Sequence, residues 1–118
     1  MIAHTAMNAA GLSPLERTAR IGKALADPGR LRILAAVRSR ELCVCHLVDL
    51  LSLDASTVSR HVRVLRDAGL IDVRKEGRWL HCRRAAPRAA IWRAVDGLLA
   101  EDPSLFADQA ALDADDCC

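Results

Sequence analysis

The sequence predicts a mainly α-helical domain with one small β-hairpin. Three observations carry that expectation. Helix-start signals recur through the first half of the chain. An amphipathic segment at 55–68 follows a short helix and a tight turn, and two strand-like segments joined at a glycine come after it. The composition is rich in Ala, Leu and Val, with Trp79, Trp92 and Phe106 the only aromatics and no Tyr, which favours helix.

Ser13-Pro14-Leu15-Glu16 has the form of a capping box with proline at the first helical position, so a helix is expected from there to about Ala26. Asp27-Pro28 repeats the start signal for a second helix to about Arg38, with Leu31, Leu34 and Ala35 on one face. Glu41 to Leu51 reads as a third helix. Asp54 caps a fourth, Ala55 to Ala68, which Gly69 ends. Leu70 to Lys75 and Arg78 to Arg83 read as strands around a Glu76-Gly77 turn, with Trp79 as the hairpin's core anchor. A last helix is expected from Pro87 to about Ala100, with a stripe of Ile91, Trp92, Val95, Leu98 and Leu99, and Asp102-Pro103 as its stop. The order helix, turn, helix, hairpin is that of a winged helix-turn-helix. The chain then divides into a flexible arm at 1–12, a DNA-binding and dimerisation domain at 13–101, and an acidic tail at 102–118 ending in vicinal cysteines.

The chain has 118 residues and a net charge of +2, and the distribution of charge says more than the sum. From Ser56 to Arg84 there are eight Lys/Arg against three acids; from Asp96 to Cys118 there are seven acids and no Lys or Arg. A basic middle suits nucleic acid, and an acidic end suits a solvated segment. No secretory leader pattern or apolar run of membrane-spanning length is visible, so a cytoplasmic protein is expected, with its five cysteines reduced. No paired carboxylates, nucleophile–base motif or phosphate loop point to an enzyme.

The fourth helix carries the candidate interface. Val58, Val62 and Leu65 form an inward stripe, with Ser56, Ser59, Arg60, Arg63 and Arg66 roughly opposite. Hydroxyls near a helix start, including Thr57, can approach phosphates and base edges, and Arg can take guanine or phosphate. His61 lies at the flank of the stripe, where packing and DNA contact are both open. Arg74, Lys75 and Arg78 cluster at the hairpin, where they suit phosphate contact or guard a strand edge.

The segments Ala24-Leu25-Ala26-Asp27-Pro28, Arg30-Leu31-Arg32-Ile33-Leu34, Glu41-Leu42-Cys43-Val44-Cys45, Ser56-Thr57-Val58-Ser59-Arg60-His61 and Glu76-Gly77-Arg78-Trp79 together resemble the ArsR/SmtB family of winged-helix metal-sensing repressors, over about 15–100. The resemblance implies a homodimer joined by its first and last helices, a pseudo-palindromic double-stranded operator, and release on binding an inducer.

Cys43 and Cys45 are the candidate core ligands, as soft thiolates that suit soft ions. In a regular helix residues i and i+2 lie about 200° apart, so capture of one ion by both is expected to distort the helix and disturb the reading helix behind it. Their bland alternative is two small core residues. The arsenic-responsive branch is most similar, but its pattern has an acid after the second cysteine and a third cysteine three residues beyond it. Here those places hold His46 and Val48. His46 is open to ligand duty but is expected rather to face solvent, and Cys82 to be a structural strand residue.

Cys117 and Cys118 are candidate completing ligands, from the same or the partner subunit. The cadmium/lead branch similarly joins the two helix cysteines to distant ones. The last helix, with Arg88, Arg93 and Asp96, lacks the His and acid pairs of the zinc-sensing relatives. The expected function is an arsenite-responsive repressor, As(III) being the inducer and Sb(III), methylated As(III), Cd(II) or Pb(II) the alternatives. A thiol-redox protein would respond to oxidant without arsenite, and a metal buffer would bind no operator.

Overall fold

The structure, a computed structural model, describes residues 11–86 and 88–114. In chain order it contains α1 (Pro14–Leu25), α2 (Pro28–Ala36), β1 (Leu42–Cys43), α3 (Val44–Leu51), α4 (Ala55–Asp67), β2 (Ile71–Glu76), β3 (Trp79–Arg84), α5 (Ala89–Leu99) and α6 (Pro103–Ala114).

Three of the expected helix starts, at Ser13, Asp27 and Asp54, are present bond by bond. The Ser13 hydroxyl accepts from the Glu16 amide at 3.1 Å, and the Glu16 carboxylate accepts from the Ser13 amide at 3.0 Å. Asp27 accepts from the Arg30 amide at 3.1 Å, and Asp54 from the Thr57 amide at 2.8 Å. Each such cap stabilises its helix by about 1 kcal/mol. Ser52, at φ 56°, ends α3, and Gly69, at φ 76°, turns the chain from α4 towards the hairpin.

The third helix is shorter than the sequence predicts. Leu42 and Cys43 form a strand paired antiparallel with β3, in the register Leu42↔Cys82 and Cys43↔His81. The helix begins only at Val44, with Cys43 as its cap at φ −70° and ψ 148°. The reason is tertiary. The hairpin of β2 and β3 would otherwise leave one edge of β3 unpaired, and β1 covers it to give a sheet of order β1-β3-β2. The hairpin turn sits one residue later than expected, on Gly77 and Arg78, with Gly77 at φ 61° supplying the bend.

Trp79 does not anchor the core: it is 43% exposed, with the Arg78 guanidinium 5.3 Å from its ring centroid. It pairs with Glu76 at the tip of the hairpin, next to the Gly77 turn.

The core is centred on Ile33, Leu34, Leu47, Val58, Leu65, Leu70 and Cys82. α5 is fastened to the hairpin by Arg84, which holds both Asp96 carboxylate oxygens at 2.7 and 2.9 Å and stacks over Trp92 at 4.5 Å. The predicted start of α5 at Pro87 lies outside the described residues, and the helix is seen from Ala89.

Asp102-Pro103, read from sequence as a stop, is instead the start of α6. The Asp102 carboxylate accepts from the Ser104 amide at 2.9 Å, the same device used at Asp27. The segment left as a solvated tail therefore carries a docked helix. Leu112 is buried, Arg32 grips the buried Asp108 with two 2.8 Å bonds, and Arg40 reaches Asp113 at 2.7 Å.

Candidate metal centre and nucleic-acid interface

Because Cys43 caps α3 from an extended backbone, it does not lie across the helix from Cys45. Its sulfur accepts from the Cys45 amide at 3.3 Å, as a capping oxygen would, and the two Sγ atoms are 2.8 Å apart. The expected 200° separation fails here, because it assumed that both residues were helical. Cys43 is buried, and Cys45 and His46 are half-buried. The donor atoms of all three lie within 4.8 Å of one another.

His46, set aside from sequence as solvent-facing, is thus brought to the thiols. The missed signal was the spacing: Cys43 to His46 is a cap and the third residue of its helix, positions whose side chains meet. Two sulfurs and an imidazole suit a soft or borderline ion. Cys82 is fully buried on β3, and burial, with smaller contributions from Cys43 and Glu41, pushes its thiol up to about 11. It is a neutral core group at physiological pH. Cys117 and Cys118 lie outside the described residues.

On α4, Ser56, Ser59, Arg60, Arg63 and Arg66 are exposed together, while Val58, Val62 and Leu65 are buried. Thr57 is half-buried at the cap. His61 is not brought to that face. It is 6% exposed, with Nδ1 3.2 Å from Arg30 Nη1 and Nε2 3.7 Å from Asp27 Oδ2. Arg30 also donates to the Ala24 and Lys23 carbonyls, so the back of α4 is tied to the α1–α2 corner.

In the hairpin, Lys75 and Arg78 are exposed near the turn. Arg74 is engaged below them, 2.6 Å from Glu41 and 3.6 Å from Glu76. The hydrogen bond from Arg74 holds the Glu41 carboxyl below its usual range. A shallow groove between α4 and the hairpin is lined by Val44, Ser59, Arg63, Arg66, Val73 and Leu80. Val44, the residue between the two cysteines, therefore lines the same groove as the α4 cations Arg63 and Arg66.

The family model described as "Bacterial regulatory protein, arsR family" matches residues 27–73. The solution structure of the homodimeric winged helix-turn-helix DNA-binding domain Mb0332 from Mycobacterium bovis, titled a possible ArsR-family transcriptional regulator, is similar with a TM-score of 0.64. It is 30% identical, covering 80% of this chain and 92% of that one. The chain belongs to the ArsR family.

Members of the ArsR family are DNA-binding transcriptional regulators rather than enzymes. Among curated relatives, the arsenical resistance operon repressor of Escherichia coli is 41% identical over 73 residues, 61% of this chain and 62% of that protein. The cadmium resistance regulatory protein CadC of Listeria innocua is 35% identical over 60 residues, half of each chain. The chain thus spans about half to three-fifths of the length of these two relatives. The family match runs from the cap of α2 into β2 and contains the thiol pair and all of α4. No helix among the described residues is long and apolar enough to cross a membrane.

Proposed function

We propose that this ArsR-family chain is a cytoplasmic repressor that binds operator DNA as a homodimer and lets go when Cys43 and Cys45 capture a soft ion, trivalent arsenic first. The observation that carries this reading is the Cys43–Cys45 contact at the junction of β1 and α3. Cys43 belongs to a strand paired with β3 of the wing, and Cys45 to a helix packed on α4. An ion bridging the two ties the root of the wing to the support of the reading helix.

Coupling by unwinding a helix, the expectation from sequence, loses its premise because the thiols already stand together. An ion held by both sulfurs fixes their relative placement, and with it the junction of β1 and α3. Val44, at that junction, lines the groove shared with Arg63 and Arg66, so a change there reaches the cations of α4. The ion shifts DNA affinity only by its preference for one arrangement of this junction over another.

Ser56, Thr57, Ser59, Arg60, Arg63 and Arg66 are the reading-helix contacts in this proposal, and Lys75 and Arg78 the wing contacts. Arg74 sets the wing's root through Glu41, and His61 acts from behind α4. Cys117 and Cys118 are candidate further ligands. Leu15 on α1, Leu98 on α5 and Phe106 on α6 are 81%, 86% and 61% exposed, apolar surface consistent with pairing of two copies through the first and last helices.

A second reading, a cadmium- or lead-responsive repressor, is favoured by the imidazole beside the thiols. Both are tested by selecting an operator from random duplex DNA and measuring its release by arsenite, antimonite, methylated As(III), cadmium, lead and zinc in reductant. Cys43→Ser and Cys45→Ser are expected to bind operator as the parent does and to ignore arsenite. A wild-type arsenite response from either variant overturns the assignment. Release by oxidant alone, with arsenite inert, identifies a thiol-redox protein instead.

A further inference from the structure

We propose that His46 is a third ligand of the inducer site. With Cys43 and Cys45 it forms a two-sulfur, one-nitrogen seat for a divalent ion of the zinc or cadmium kind. This rests on the reading of Cys43 and Cys45 as the inducer site, and adds to it a residue that selects among its ions.

The placement follows from helix-start geometry. Cys43 is the cap of α3, Cys45 the second helical residue and His46 the third. Side chains at the cap and third position face each other, as Ser13 and Glu16 do at the start of α1 in the same chain. At α3 the same relation brings an imidazole to a thiol.

The donor atoms of the three residues lie within 4.8 Å of one another. An ion with tetrahedral bonds of about 2.3 Å to sulfur and about 2.0 Å to nitrogen needs donors roughly 3.5–3.8 Å apart. Side-chain rotation covers that difference without unwinding α3. One donor is buried and two are half-buried, so the seat is shielded on the core side and open to entering ions.

Discrimination follows from the donor types. Imidazole nitrogen serves zinc-like ions well, whereas trivalent arsenic is served by the thiolates. Loss of His46 is therefore felt by the divalent ions and spared by arsenite.

The test uses the full, reduced chain carrying Cys117→Ser and Cys118→Ser, so that ligands from the chain end do not mask the result. It is titrated anaerobically with cadmium and, separately, with arsenite. Sulfur-to-metal absorption follows binding, and the histidine ring resonances are followed by NMR. One cadmium per chain is expected, with the His46 resonances displaced as it binds. Adding His46→Gln is expected to weaken cadmium at least about tenfold and to leave arsenite within about twofold.

Unmoved His46 resonances, or an unchanged cadmium affinity in the His46→Gln chain, overturn the third ligand. Cys43→Ser and Cys45→Ser in the same background separate the two levels of the argument. If they bind both ions like the parent, the inducer site itself is misplaced. If they lose both ions while His46→Gln changes nothing, only the role of His46 fails.

Discussion

α4, the proposed reading helix, and the thiol turn sit side by side in one helix-turn-helix, yet they owe their shapes to different parts of the chain. α4 carries its own cap in Asp54 and its own apolar stripe in Val58, Val62 and Leu65, so its exposed face follows from local pattern. The thiol turn is shaped from outside. Cys43 is held extended by pairing with His81 on the wing, and only because it is extended does its sulfur meet Cys45. In the proposed function, then, the DNA-reading face is specified locally while the switch beside it is specified by a distant strand. An element built that way is suited to carry a signal between wing and helix.

The sharpest way to break this comparison is Leu42→Ala. Leu42 is 5% exposed, pairs with Cys82 and is not among the proposed ion or DNA ligands. Its truncation is expected to destabilise the fold by about 2–5 kcal/mol, read by urea unfolding. It should also weaken arsenite binding in protein that is still folded, because the strand that extends Cys43 is loosened. Unchanged arsenite affinity would show that the thiol contact is local to α3 and owes nothing to the wing.

A pair of substitutions on α4 sharpens the other side. His61 faces Arg30 and Asp27 inside the protein, whereas Arg63, two residues on, is exposed. His61→Ala leaves the Arg30 guanidinium short of a partner and is expected to cost about 1–3 kcal/mol of stability. Operator affinity should fall through the tilt of α4, with the salt slope unchanged. Arg63→Ala is expected to leave stability alone, weaken binding across sequences and lower the salt slope by about 1. Equal salt slopes for the two variants would place both residues, or neither, at the phosphates.

The legibility of the chain divides along the same line. Caps at Ser13, Asp27 and Asp54, the stripe of α4 and the Gly77 hairpin were all readable, since each is written in a few adjacent residues. The extent of α3 was not, because the sequence from Glu41 to Leu51 is compatible with helix and only the open edge of β3 draws Leu42 and Cys43 into a strand. His46 was misjudged by consequence, as its meeting with Cys43 depends on Cys43 being a cap. α6 failed for a different reason. Its Asp102-Pro103 start signal matches Asp27-Pro28, but an acidic composition suggested solvation, and the partners of Asp108 and Asp113 are arginines on distant segments. His61 was ambiguous because a residue at the flank of an apolar stripe turns inward or outward according to what lies opposite, here the α1–α2 corner.

The smallest expected effect concerns the tie between the wing and α5, which anchors the shared strand β3 from its other end. Arg84 holds Asp96 with two hydrogen bonds, and Arg38 adds a longer contact at 3.5 Å, so the Asp96 carboxyl is held below its usual range, chiefly by Arg84. A carboxyl with a folded-state pKa below its unfolded value stabilises the protein above the unfolded pKa, and that contribution is lost as pH falls through the folded one. The wild type should therefore exceed Asp96→Asn in stability at neutral pH by a small margin, reduced by solvent access to the pair. The margin should close as pH falls below the ordinary aspartate range, and thermal melts of both proteins across that range measure it. A margin that persists unchanged in acid would mean that the carboxamide fails to fit for reasons of packing, and that charge plays no part in fastening α5 to the wing.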